Sequence, residues 1–281
     1  MIVFAAEKYL GLIALGFGVG AYGTLIGAGG GFVLMPLLLL LYPHDSPELL
    51  TSISLAVVFF NTLSGSEAYG LMKRIDYKTG FLFAASTIPG AVLGALNTAY
   101  VPRRLFDFIF GVILLAVALF IGFRPAGAGT SIRGKRGSPH QINRHLVDAQ
   151  GLVYDYSFNP VLGVGISVVV GYISSFLGIG GGIIHVPALS YFLNFPVHIA
   201  TATSHFILAF MALTGTAVHI MTGTFSHGVH RTVSLAIGVL LGAQLGARLS
   251  ERLTGVWIIR SLALALGLIA LRILSTIWLA V

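Results

Sequence analysis

The stretch Gly27-Ala28-Gly29-Gly30-Gly31-Phe32-Val33-Leu34-Met35-Pro36 returns 151 residues later as Gly178-Ile179-Gly180-Gly181-Gly182-Ile183-Ile184-His185-Val186-Pro187. Every glycine and the proline keep their places. Each copy lies inside an apolar run, Tyr9 to Tyr42 and Pro160 to Leu193. A glycine in a helix interior costs about 1 kcal/mol relative to alanine, so four in five positions predict that the helix breaks there. Length argues the same way. Tyr9 to Tyr42 as one straight helix would measure about 51 Å, against a hydrocarbon core of about 30 Å. The piece after the break, about Gly30 to Leu41, would measure only about 18 Å, too short to cross alone. Two half-helices meeting inside the protein satisfy both limits.

Working outward, Thr51, Ser54, Phe60, Leu63, Ser64 and Gly65 fall on Thr201, Ser204, Phe210, Leu213, Thr214 and Gly215 at an offset of 150. Gly90, Ala91, Leu93, Gly94 and Ala95 fall on Gly242, Ala243, Leu245, Gly246 and Ala247 at 152. Drifting offsets read as duplication with small insertions, which divides the chain into a first transmembrane repeat, 1–123, a basic linker, 124–159, and a second repeat, 160–281. Six continuous apolar spans fill the halves: Leu49 to Leu71, Phe81 to Tyr100, Leu105 to Phe123, Thr201 to Met221, Val233 to Leu249 and Val256 to Val281. The expected fold is an all-α integral membrane protein of two homologous helical repeats, with Gly-broken half-helices and 8–10 membrane segments. If each broken segment crosses once, the halves are parallel; if each turns back, they are inverted.

Composition supports a bilayer solvent: 56% hydrophobic and 9% charged residues, with a mean hydropathy of +0.94. A membrane barrel would alternate apolar and polar residues, which runs such as Leu37 to Leu41 do not. The first apolar stretch continues past 30 residues without a small-residue cleavage site and reads as part of the mature fold rather than a signal peptide. The absence of cysteine excludes disulfides, thiolate metal sites and a cysteine nucleophile. The net charge of +7 comes from Lys and Arg at segment ends and in the linker, with Arg124, Arg133, Lys135, Arg136 and Arg144, so it marks topology rather than a nucleic-acid partner. The linker is expected in the cytoplasm, Gly127 to Gly137 being flexible and its basic cluster touching anionic membrane lipid. Neither glycine motif has the preceding strand or following Lys-Ser/Thr of a phosphate-binding loop. No cofactor is called for.

Broken helices at membrane depth line cavities or pack within protein, and paired breaks mark the binding sites of many transporters. Exposed N–H groups and positive dipole ends at Gly29, Gly30, Gly31, Gly180, Gly181 and Gly182 would hold a small anion without a buried cation. The competing reading is that the glycines allow close helix packing. Thr51, Ser52, Ser54, Thr201, Thr203 and Ser204 follow loops and serve either as ligands or as helix caps. Asn61 lies mid-span, where its amide binds an anion or ties two helices. His205 and His219, 14 residues apart, share one helix face within about 40° and can line one pathway as proton carriers. His205 is also a substrate-binding candidate. Glu67 is a proton-coupling candidate or a residue snorkelling toward the basic turn Lys73 to Lys78. Arg260 is an interface anchor or, facing inward, an anion ligand. There is no H-E-x-x-H or G-x-S-x-G motif and no pair of intramembrane aspartates, which argues against a membrane-embedded enzyme.

The two G-x-G-G-G-x-x-x-x-P motifs, with Leu50-Thr51-Ser52-Ile53-Ser54-Leu55 and Ala200-Thr201-Ala202-Thr203-Ser204-His205 downstream, resemble the TauE/SafE sulfite exporter family. His219 and Gly223 resemble its His-x-x-x-Gly element, for which the first half carries Tyr69 and Lys73 instead. The resemblance implies a secondary transporter moving sulfite, a sulfonate or a related small anion across the bacterial inner (plasma) membrane without ATP. A gated anion channel is the alternative.

Overall fold

The computed structural model describes residues 2–123, 141–253 and 255–279; the Gly127 to Gly137 part of the linker lies outside them. Among these described residues are ten α-helices: α1 (Ile2–Ile26), α2 (Gly31–Leu41), α3 (Pro47–Leu71), α4 (Tyr77–Thr98), α5 (Arg103–Gly122), then α6 (Pro160–Leu177), α7 (Gly182–Phe192), α8 (Val197–Met221), α9 (Val229–Ser250) and α10 (Gly255–Leu279). Seven spans are long and apolar enough to cross a membrane, and α2 and α7 are short apolar helices. The starts of α3 and α6 follow from their sequence. Ser46 and Asn159 cap them by accepting from Leu49 N and from Val161 N and Leu162 N, and proline occupies the first turn, where its missing N–H costs nothing.

Close approaches at glycine fix how the helices run. Along α1 and α9, Gly16 meets Leu235, Gly20 meets Val239 and Gly246 meets Ala21, so these helices are parallel. Along α4 and α6, Gly171 meets Thr87, Gly94 meets Tyr172, and Thr98 donates to the Phe176 carbonyl at 2.9 Å; these too are parallel. By contrast α3 and α8 are antiparallel, with Gly65 at His205 and Gly215 at Leu55, and so are α5 and α10, with Gly111 at Leu274 and Gly267 at Ala118.

The chain therefore reverses at both glycine motifs. Gly30 comes back beside Val19 and Gly181 beside Ser174, with positive φ at Gly27, Gly29, Gly30, Gly178, Gly180 and Gly181. Helices α1 to α5 and α6 to α10 thus run in opposite senses, the second of the two topologies the sequence allows. One end of the bundle is tied by Arg103 to the Leu39 and Asp45 carbonyls (2.8 and 2.9 Å), by the Arg231–Asp45 ion pair and by Thr224 to Glu48 (2.6 Å).

The opposite end carries a feature that the linker reading lacks. Strands β1 (Ile142–Val147) and β2 (Val153–Phe158) form an antiparallel hairpin. Two strands alone are marginal in water. Here Tyr156 and Phe158 are buried with Phe83, Leu189, Leu193 and Phe195. The hairpin thus touches helices from both sets.

Candidate functional site

The two reversals meet. A Cβ added to Gly31 would fall 2.6 Å from the carbonyl carbon and oxygen of Ile179, and one added to Gly182 would strike the backbone of Ala28. Gly27 lies against Thr201 of α8, and Gly178 against Thr51 of α3. The N-terminal ends of α2 and α7 are thus side by side at the centre of the bundle. Neither is capped by a side chain: Gly30 and Gly181 occupy the cap positions at φ 78° and 75°. Among the described residues the N–H groups of Gly30, Gly31 and Phe32, and of Gly181, Gly182 and Ile183, have no acceptor. First-turn amides lack intrahelical partners by geometry, and two helix dipoles add positive potential at this one spot.

Thr201, Thr51 and Ser174 lie against Gly27, Gly178 and Gly181, and among the described residues their buried hydroxyls, like those of Ser175 and Ser204, have no partner. None is a cap, since Ser46 and Pro196 hold the cap positions of α3 and α8. Ser174 Oγ stands 2.6 Å from the place of a Gly181 Cβ. Ser54 is already engaged, donating to the Gly178 carbonyl at 2.5 Å, and so braces the second break. Two apolar side chains close the centre. Methyls of Val58 approach the Cβ positions of Gly29, Gly31 and Gly180 at 3.2, 2.7 and 2.7 Å, and those of Leu208 approach Gly29 and Gly181 at 3.6 and 3.1 Å.

Beside the first break a polar network joins three helices. Thr24 Oγ1 donates to Asn61 Oδ1 and contacts His205 Nε2, both at 3.2 Å. Tyr69 OH donates to the Thr24 carbonyl at 2.6 Å, and its ring meets His205 edge-on at 5.7 Å. Asn61 Nδ2 and His205 Nδ1 keep unused hydrogen-bonding capacity.

Other candidates lie elsewhere. Ser52 donates to the Leu49 carbonyl within its own helix (2.7 Å), and Thr203 accepts from the Asp76 amide (3.1 Å) at the α3–α4 corner. His219 is buried one turn from the far end of α8, and among the described residues neither ring nitrogen has a partner. Glu67 is exposed on the outer face of α3, and Arg260 is exposed on α10 rather than turned inward. Sequence reasoning passed over Val58, Leu208, Thr24, Ser174 and Ser175. The last two were within reach, because the motif offset of 151 sets Gly23-Thr24 on Ser174-Ser175, immediately before the breaks.

A family profile described as "Sulfite exporter TauE/SafE" matches residues 12–273, which include both breaks and all the helices that frame them. The chain belongs to the TauE/SafE sulfite exporter family. Over 218 residues it is 34% identical to the probable membrane transporter protein YunE of Bacillus subtilis (strain 168), covering 75% of this chain and 78% of that protein. A probable membrane transporter protein of Methanocaldococcus jannaschii is 26% identical over 218 residues, 76% of this chain and 73% of its own. One from Xylella fastidiosa (strain 9a5c) is 24% identical over 190 residues, 68% and 64% respectively. No solved structure matches. As a TauE/SafE protein with seven candidate spans, this is a multi-pass membrane transporter rather than an enzyme.

Proposed function

We propose that the protein carries a small anion, sulfite or a compact sulfonate, between the N-terminal ends of α2 and α7, by alternating access of two helical sets related by duplication. The observation that carries this reading is the meeting of two uncapped helix N-termini, with unpartnered amides and ringed by buried hydroxyls, at the centre of a bundle whose halves run in opposite senses. Backbone N–H groups and hydroxyls are anion donors, and half-helix ends at the midplane are where secondary transporters bind charged substrate. Val58 and Leu208 fill the gap, so the substrate enters when α3 and α8 draw apart. The Thr24–Asn61–His205 network places a titratable ring against the first break and serves proton coupling. The hairpin end is cytoplasmic in this reading, because Lys73, Lys78, Arg144, Arg248 and Arg252 crowd that end.

Thermal stabilisation of the purified protein by sulfite, sulfate, thiosulfate, taurine, sulfoacetate and carboxylates tests the assignment, because a ligand of the native state raises stability by mass action. A sulfur-anion subset should stabilise, and the same anions should show saturable flux in proteoliposomes. No stabilisation by any of them between pH 5 and 8 overturns the sulfur-anion reading. Flux that does not saturate replaces the carrier with a channel.

A further inference from the structure

Away from the breaks, a cavity of about 450 Å³ opens on the outer face of the bundle between α3 and α8, walled by Phe59, Leu63, Phe206, Phe210 and Leu213 and edged by Glu67 and Tyr77. Tyr77, Phe81, Phe206 and Phe210 form a ladder of edge-on rings with centroids 5.0 to 5.8 Å apart. Its two ends differ in depth. Glu67 precedes the end of α3 by four residues, about 6 Å, which is headgroup depth, whereas Phe59 lies about 18 Å from that end, past the middle of a 30 Å core. Among the described residues Glu67 makes no ion pair or hydrogen bond, and the neighbouring Arg74 is committed to Asp148 at 3.3 Å. An unpaired carboxylate at headgroup depth offers a pairing site to a cationic headgroup.

We propose that the groove holds an acyl chain of an aminophospholipid, whose headgroup ammonium pairs with Glu67. A ligand here needs a positive group at the interface and a long apolar body reaching toward the midplane, and that describes such a lipid. An anionic lipid would set its charge against the carboxylate. The aromatic Tyr77 at the mouth suits the same interfacial position and its ring face favours a cation.

The test uses the full-length protein in detergent, titrated with phosphatidylethanolamine or phosphatidylglycerol, with retained lipid counted by native mass spectrometry. Phosphatidylethanolamine should be favoured roughly two- to fivefold, the size of a partly exposed ion pair. Glu67→Gln should equalise the two lipids, and Glu67→Lys should reverse the preference. Leu213→Trp, which fills the groove from its exposed rim, should reduce retention of both. Equal retention by the unaltered protein, or an unchanged preference in Glu67→Lys, overturns the pairing. Undiminished retention in Leu213→Trp overturns the groove as the seat of the chain.

Discussion

Gly31 abuts the carbonyl of Ile179, so that a single added methyl would sit 2.6 Å from backbone that cannot step aside. Gly31→Ala should therefore force the two breaks apart, with an overpacking cost of about 1–3 kcal/mol and a loss of at least tenfold in anion flux. Gly18→Ala supplies the control, since nothing lies within 4 Å of a Cβ there and alanine favours the helix. Thermal midpoints and proteoliposome flux of the two variants check this. Leucine at Gly30 or Gly181 would be a poorer probe, because the positive φ adds about 1–2 kcal/mol of backbone strain before any contact is counted.

Val58 and Leu208 should set the size of the cargo. Val58→Ala and Leu208→Ala enlarge the gap between the helix ends and are expected to raise flux of a bulkier sulfonate relative to sulfite, at a stability cost of about 1–4 kcal/mol. Competition assays with a graded series of sulfonates read the ratio. An unchanged ratio in both variants would place the cargo elsewhere.

Thr24 and His205 should act as a unit. In a double-mutant cycle with Thr24→Val and His205→Leu, the combined destabilisation should depart from additivity by about 0.5–3 kcal/mol, measured by denaturant unfolding. Tyr69→Phe should cost about 0.5–1.5 kcal/mol, because the buried Thr24 carbonyl loses one of its two donors and keeps the Gly27 amide at 2.9 Å.

Asp148 should make the hairpin acid-labile. Burial alone would raise its carboxyl pKa, but the Leu152 and Gln150 amides and the Arg74 guanidinium outweigh that and hold it below the usual carboxylate range. A depressed folded-state pKa gives stability that is fully present above the ordinary carboxylate pKa and is lost as pH falls through the depressed value. Protease cutting within the hairpin should accelerate below about pH 4 in the unaltered protein. In Asp148→Asn it should be fast at neutral pH as well.

The helices and their breaks were legible because bilayer physics writes them plainly. The span read from Leu49 to Leu71 is α3 within two residues, and the glycine runs mark both reversals. The sense of the returning half-helices was not legible, since it depends on which backbones touch, Gly16 at Leu235 or Gly94 at Tyr172, and such contacts leave no local trace. The hairpin was partly legible: Tyr154, Tyr156 and Phe158 alternate toward the protein, and Gly151 permits the turn at φ 81°. Charge and glycine upstream masked that period of two. Among site candidates, hydroxyl position was readable but hydroxyl occupancy was not. Ser54 and Ser204 look alike in sequence, yet only Ser54 has found a carbonyl.

The hairpin also bears on control. Arg144 joins Asp76 at 3.1 Å, Tyr156 reaches the same carboxylate at 2.9 Å, and Gln150 reaches Glu251 at 2.8 Å, all at one end of the bundle and outside the apolar spans. Under the alternating access proposed above, these bonds tie the hairpin to the start of α4 and the end of α9 in water, apart from the proposed cargo site at the centre of the bundle. In that reading, a change of salt confined to one compartment would act on these ion pairs without ever meeting the transported ion.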